Sequence, residues 1–536
     1  MSRKIKWLAL GLSVALLVFT RFVNLSWGLP YPFHPDERNI AVAIQQLQCT
    51  FPLDLKSCFN PHFFAYGQFP IYLGYIFVHL NRLITKVAGT VRFEEAVLAL
   101  RFISAVASVA TVAVSIRILR MFIRDTKYEI PYILLLIFSP SLIQFAHFGT
   151  TESLLMLFFS WLIFLCLKLD TERASEGVDS IYIWIGVVTG MAIATKVSSL
   201  SFLLLPIYAV TLGHVRPRRS YRKVTRYEEF WQWFNELIFV SFITGATAIL
   251  LSPHNLISWT DFIGSMKYES SVAMGTVQVF YTRTFSHSVP FLFQGLSIFP
   301  YALGVPVFAL FIISFFVLPY SRKNNFLRFS FLAIFIPWSL AYTKWTRFMS
   351  PFFPLMVIFV AVFISRLPRW LGYVLVSICI LPGIFFMNVY TSQDVRFEAS
   401  KWMAKNIPPK SYILQETANV VDLPLFLETW NVESRTYKNI SFNFYELDAD
   451  PKLQNELKLH IRKADYIIIP SRRIFMNHSA KDYPILSKYY SDLFSGKLGF
   501  KKEAEFRTLN DEEAEETWTV FDHPVIRIFK RINPDS

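Results

Sequence analysis

Charge is scarce in this chain. Only 17% of its 536 residues are Asp, Glu, Lys or Arg, against about 25% in an ordinary soluble domain. Cysteine is scarcer, with four in all. None has zinc-ligand spacing, so a disulfide-dense secreted scaffold and a zinc module are excluded. No G-x-G-x-x-G and no P-loop is present, which leaves nucleotide binding without its phosphate cradle. Internal repeats, low-complexity tracts and nucleic-acid-binding signatures are missing too.

Apolar side chains fill the gap. Hydrophobic residues make up 53% and aromatics 17%, including 54 Phe. They gather into runs of roughly 17–25 residues between positions 5 and 389, each long enough to span about 30 Å of hydrocarbon. This excludes a small soluble enzyme and a disordered chain. The expected fold class is a polytopic α-helical membrane protein with about eleven transmembrane helices. Two domains are expected: a membrane part over 1–390, with a large first outer loop at about 25–96, and a soluble α/β domain over 391–536.

The net charge of +14 divides unevenly. Residues 391–536 hold 21 basic and 22 acidic side chains, so the excess belongs to the membrane part. Basic residues in short loops mark the cytoplasmic side. Arg117, Arg120, Arg124 and Lys127 end one span. Arg216, Arg218, Arg219, Arg222, Lys223 and Arg226 crowd the loop 214–226, and Arg322, Lys323 and Arg328 mark a third. The N-terminus, with apolar residues 7–19 followed by Arg21 and Phe22, has no small-residue cleavage site and reads as an uncleaved first span entering from the cytoplasm. Spans are expected at 6–24, 97–119, 131–148, 153–168, 181–195, 199–213, 234–252, 295–319, 329–342, 350–365 and 370–389. The stretch 69–88 reads as an amphipathic helix on the outer surface; a genuine span there would invert everything after it. Cys49 and Cys58 share one polar outer loop, where the sequence leaves a disulfide open. Cys166 and Cys379 sit in apolar runs as small hydrophobes.

This threading gathers ionisable residues from distant positions onto the outer face. Such residues at span ends are costly and are functional candidates by default. Asp36 and Glu37, behind His34-Pro35, are the sharpest pair. Asp36 reads either as the N-cap of a following helix or as a general base taking a proton from an acceptor. Glu152, after His147 at a turn between spans, reads either as a carboxylate favoured by a helix dipole or as an acid that orients a cation or binds a metal. Lys196 either snorkels to the surface or binds a phosphate. Lys344 and Arg347, two cations on an outer turn, raise the same choice, as does Arg101. His254 reads more weakly, as a satisfied polar residue. In the C-terminal part, helices are expected at 394–406 and 450–463, and strands at 411–415, 465–469, 517–522 and 525–530. The acidic run 511–516 reads as a solvated loop.

Together these residues resemble a type C (GT-C) glycosyltransferase, in the branch of protein O-mannosyltransferases and the lipid A aminoarabinose transferase. The carrying motifs are Phe33-His34-Pro35-Asp36-Glu37 after the first span, the segment His147 to Glu152, Gly190 to Lys196, and Lys344-Trp345-Thr346-Arg347-Phe348-Met349-Ser350-Pro351. The ending Val520 to Phe529 looks like the tail of bacterial members. The resemblance implies inverting transfer of one sugar from a polyprenyl-phosphate donor on the outer face, to a protein, glycan or lipid acceptor, in the plasma (inner) membrane. It implies Asp36, Glu37 and Glu152 as the catalytic set, and Arg101, Lys196, Lys344 and Arg347 as donor-phosphate ligands. His34, His147 and His254 are the substrate-contact candidates. A divalent metal is the only cofactor considered, because metal use differs between branches; where the family usually has Asp, this chain has Glu152. The competing readings are a transporter or lipid flippase, which should carry mid-membrane charges and matched halves, and a scaffold whose outer domain does the work.

Overall fold

In the computed structural model, residues 3–49, 52, 54–123, 129–172, 178–214, 225–417, 420–425 and 437–532 are described. Arg124, Lys127, Arg216, Arg218, Arg219, Arg222 and Lys223, on which part of the orientation rests, lie outside the described residues.

Each expected span has a helical counterpart. Among the described residues six helices are long and apolar enough to cross a membrane: Phe93–Arg120, Glu152–Thr171, Val197–His214, Arg226–Leu251, Thr346–Ile364 and Arg369–Thr391. Two bent pairs raise the count to eight, Ile130–Ile137 with Pro140–His147 at 50° and Gln294–Ala302 with Val305–Val317 at 114°. Trp7–Phe22 and Asp179–Thr195 are apolar but shorter, and Arg322–Leu340 is helical without reaching that mark. The segment at 69–88 forms helix Phe69–Thr85, with Ile71, Gly74 and Val78 buried and Ile76, Leu80, Leu83 and Ile84 exposed.

The first bend has a local cause. Pro140 has no N–H to give the carbonyl four residues back, so the ladder breaks there. Arg21, fully buried, donates to the Leu136 and Ile137 carbonyls and to Ser108 Oγ. One side chain thereby satisfies the break and ties the first helix to two others.

The loop after the first helix folds back onto the bundle. Helix Pro35–Gln46 packs Ile40, Ala41 and Ile44 against Tyr66, Ile71, Val97 and Leu100. Cys49 and Cys58 form a disulfide within the loop. Gly67 donates its N–H to the Thr195 carbonyl at 3.0 Å, and a Cβ on Gly67 would stand 1.9 Å from the Ala194 carbonyl oxygen. Only glycine permits this approach of the loop to the turn at Lys196.

The C-terminal part holds a five-stranded sheet of order β2-β1-β3-β5-β4: β1 Tyr412–Glu416, β2 Lys438–Phe442, β3 Tyr466–Ile469, β4 Phe500–Phe506 and β5 Ile526–Arg531. β1 is parallel to β2 and β3, whereas β5 runs antiparallel to β3 and β4. β1 and β3 are buried on every residue; β3 is the continuous apolar run of a covered strand, whereas β1 ends in Gln415 and Glu416, which are hydrogen-bonded to Leu423 and Tyr490. The expected helices appear as Val395–Asn406 and Pro451–Lys463, the second capped by Asp450. Two expectations fail. Residues 517–522 are not a strand: a short helix, Glu516–Thr519, leads into Asp522-His523-Pro524, and only the second strand forms. Nor is the acidic run a solvated loop, because Ala514, Glu515 and Glu516 are buried between the sheet domain and the membrane helices. His523 ties down its far end, facing Asp522 at 2.5 Å and Asp511 at 3.0 Å, while Gln144 of the bundle donates to the Trp518 carbonyl.

Candidate active site

Helix Pro35–Gln46 begins two residues earlier than an Asp36 N-cap would place it. Pro35 occupies its first turn, where the missing N–H costs nothing, and His34 is the N-cap, its Nδ1 accepting the Glu37 N–H. Asp36 is therefore not the cap, and its carboxylate is free to face outward. It meets Arg347, whose guanidinium also reaches the Tyr66 hydroxyl at 3.3 Å and lies over the Trp345 ring, 4.3 Å from its centroid. Burial acts to raise the Asp36 pKa, but Arg347, then His34 and Lys196, hold it below the ordinary carboxylate value.

Glu37 points the other way. Its two oxygens receive the fork of Arg101 at 2.7 and 2.8 Å, and Oε2 also accepts the Gly149 N–H at 2.7 Å. A Cβ on Gly149 would stand 3.0 Å from that oxygen. Arg101 spends its remaining reach on the Leu25 and Trp27 carbonyls and stacks on Trp27. Both are sealed from solvent. The expectations that Arg101 binds the donor phosphate and that Glu37 acts chemically are thus corrected: the pair is an internal pin for the loop. The reason is geometric, since consecutive helical residues point about 100° apart.

Lys196 lies 3.7 Å from Glu152 Oε1 and over the rings of Tyr66 and Phe348. Glu152 shares a small recess with His34, Asp36 and Arg347. The His34 ring is held between Phe148 and Phe521. The other three candidates are turned inward. His147 places its ring nitrogens on the Ile143 and Val23 carbonyls and stacks on Tyr390. His254 bridges the Cys58 carbonyl and Ser258. Lys344 is buried and donates to the Tyr342 carbonyl, apart from the residues that line the cavity. These three are structural contacts, placed by polar groups that would otherwise be left unpaired in the interior.

Two spaces meet at Arg347. A narrow cleft runs between the spanning helices, lined by Leu155, Lys196, Phe202, Trp338 and Phe348. An outer cavity of about 430 Å³ opens on the other side, with Asp36, Arg38, Tyr66, Glu269, Trp345 and Arg473 among its walls. Arg347 lines both. Its Nε is buried without a hydrogen-bond partner among the described residues, which is costly unless something else fills it.

Several wall residues were not foreseen. Tyr66 stands in an aromatic stretch whose composition carries no catalytic motif. Burial raises the Glu269 pKa, while Arg347 and Lys196 oppose the shift; its sequence context on helix Trp259–Met274 carries no motif. Arg473 and Glu516, paired with each other, come from the C-terminal domain. In sequence, Glu516 is marked only by its place at the end of the acidic run, two residues before Trp518.

Among the described residues, no group of three or more His, Cys, Asp or Glu is placed to hold a metal ion. The site carboxylates Asp36 and Glu152 are engaged by Arg347 and Lys196. This donor set does not fit a metal centre.

Residues 12–255 match the family model for dolichyl-phosphate-mannose-protein mannosyltransferase. No curated protein sequence matches the chain. Among solved structures, the chain is similar to the oligosaccharyltransferase AglB of Archaeoglobus fulgidus in complex with an inhibitory peptide and a dolichol-phosphate. The TM-score is 0.52 at 13% identity, over 91% of this chain and 73% of that one. ArnT of Cupriavidus metallidurans bound to undecaprenyl phosphate aligns over 98% of both chains at 13% identity, with a TM-score of 0.49. A complex of the Archaeoglobus fulgidus oligosaccharyltransferase with Zn and sulfate gives 0.49 at 14% identity, over 90% of this chain and 71% of that one. At such identities the likeness to AglB is one of fold.

Proposed function

We propose that this multi-pass protein, a membrane glycosyltransferase of GT-C type, moves one sugar from a polyprenyl-phosphate donor to an acceptor on the outer face of the plasma membrane. In this reading residues 1–390 form the transferase domain and 391–536 an extracytoplasmic domain. The observation that carries it is the meeting of Asp36 and Arg347 where a cleft between spanning helices joins an outer cavity. A lipid-linked phosphate needs that junction, because its chain stays in hydrocarbon while its sugar reaches water.

Arg347 and Lys196 hold the donor phosphate, and the unfilled Nε of Arg347 gives the guanidinium a further donor for it. Glu152 holds Lys196 in place. Once phosphate takes the guanidinium, the Asp36 carboxylate is released toward the acceptor. Until then Arg347 holds the Asp36 pKa below the ordinary carboxylate value, so the residue enters the step ionised. Asp36 takes the proton from an acceptor hydroxyl or amine as that atom attacks the anomeric carbon. The bond from that carbon to the phosphate oxygen breaks, and polyprenyl phosphate leaves with the electron pair. Arg347 and Lys196 stabilise the negative charge on it. Attack opposite the leaving group inverts the anomeric centre.

Membranes containing the protein, given a labelled polyprenyl-phosphate sugar, are expected to label an acceptor. Asp36→Asn should lower that transfer by about 10²–10⁴-fold, the usual worth of a positioned general base. A transporter or scaffold would leave labelling unchanged by the substitution.

A further inference from the structure

We infer that Glu515, in the acidic run of the C-terminal domain, is a positioning residue for Arg347, so that this domain completes the donor-phosphate site. The inference rests on the assignment of Arg347 to that phosphate.

Glu515 is buried against the turn that carries Arg347. Its Oε2 accepts the Thr346 N–H at 3.0 Å and the Thr346 hydroxyl at 2.8 Å. Oε1 accepts the Thr517 N–H at 3.1 Å, which fixes the carboxylate from its own side. The Glu515 N–H in turn donates to the Ser297 carbonyl at 2.8 Å, on the bent helix pair of the bundle. Thr346 opens the short helix Thr346–Met349, and Arg347 is its second residue. A carboxylate holding both donors of Thr346 therefore sets the backbone from which the guanidinium projects.

Glu515 cannot drift, because its segment is anchored on both sides. Trp518 donates its indole N–H to Asp511 and receives Gln144 on its carbonyl. The Tyr390 hydroxyl donates to Asp522 at 2.7 Å. The adjacent Glu516 reaches Arg473 on the cavity wall. An arginine that must serve a lipid phosphate and release Asp36 needs a fixed origin, and a misplacement of about 1 Å can cost 10²-fold in such sites.

The test measures binding of undecaprenyl phosphate to the purified full-length protein. Folding of each variant is checked by its thermal transition. Glu515→Ala is expected to weaken binding about tenfold, the worth of a charge-assisted hydrogen bond. Glu515→Gln, whose amide oxygen can still accept from Thr346, should stay within about threefold of the original protein by the same measure. The double variant with Arg347→Ala should bind no worse than Arg347→Ala alone, the signature of two residues acting through one contact. If folded Glu515→Ala binds normally while Arg347→Ala does not, the positioning role is overturned and the donor site stands. If Arg347→Ala also binds normally, the donor assignment falls. Should Glu515→Ala not fold, Thr346→Val removes only the hydroxyl contact; intermediate weakening supports the role, and unchanged binding overturns it.

Discussion

Two pairs of adjacent acids approach the cavity at Arg347 from opposite ends of the chain. At the start are Asp36 and Glu37, on a helix of the first outer loop; near the end are Glu515 and Glu516, in the strap that docks the C-terminal domain. In each pair one carboxylate faces the cavity and its neighbour is buried in hydrogen bonds. Asp36 meets Arg347 while Glu37 takes the fork of Arg101. Glu516 meets Arg473 while Glu515 takes both donors of Thr346. The pairs differ in what the buried acid holds. Glu37 secures the loop that carries the proposed base; Glu515 secures the turn that carries the proposed phosphate ligand. Neighbouring acids thus meet different partners, and the proposed base depends on an inert neighbour.

The largest effect on stability belongs to the first pair. Arg101→Leu leaves Glu37 ionised and buried without its partner, which should cost about 3–5 kcal/mol. Thermal unfolding would show it, and Asp36→Asn, at a cavity wall, should leave the transition nearly unchanged. Equal losses from both would erase the contrast drawn between the two carboxylates.

Removing Arg347 acts on chemistry instead. Arg347 lowers the Asp36 pKa against a burial effect that raises it. Arg347→Ala lets burial prevail, so the acidic limb of residual transfer should move to higher pH. A pH profile of kcat/KM for the variant checks this, and an unmoved limb would separate Asp36 from the proton transfer.

A smaller effect concerns the strap. His523, between Asp511 and Asp522, has its pKa raised to about 10 despite full burial. A raised pKa stabilises the fold while the group is charged, so this contribution is complete below about pH 6.5 and is lost as pH rises through about 10. The difference in thermal transition between the original protein and His523→Phe should shrink across that window. Least of all should come from Lys344→Ala. Its ammonium is spent on the Tyr342 carbonyl, and donor affinity should change by less than about threefold, within the range of a contact remote from the ligand.

Much of this was legible in the sequence because hydrocarbon imposes a simple rule. Spans need length and apolarity, and both can be read directly, so every expected span is helical, although six to eight of the eleven reach the length and apolarity of a crossing among the described residues. The charges that the threading assigns to one face include Asp36, Glu152, Lys196 and Arg347, which the fold gathers at one junction. What could not be read was orientation within an element. Nothing in the spelling Asp36-Glu37 tells which carboxylate turns inward, since that depends on His34 capping the helix and Pro35 opening it. Arg101 carries the same charge as Arg347 and lies on the same outer side, yet it is sealed beneath Trp27. The acids at 511–516 look solvated because composition does not record that Gln144, Ser297 and Thr346 lie opposite them. Tertiary partners far apart in sequence decide these cases.

The central claim is that Asp36 performs the transfer and Arg347 holds the donor. It is tested most directly by measuring, on the same purified preparations, undecaprenyl phosphate binding and sugar transfer for Asp36→Asn and Arg347→Ala. The account predicts that Asp36→Asn binds the lipid phosphate as well as the original protein but transfers almost nothing, whereas Arg347→Ala loses binding. Transfer by Asp36→Asn at the original rate would contradict it.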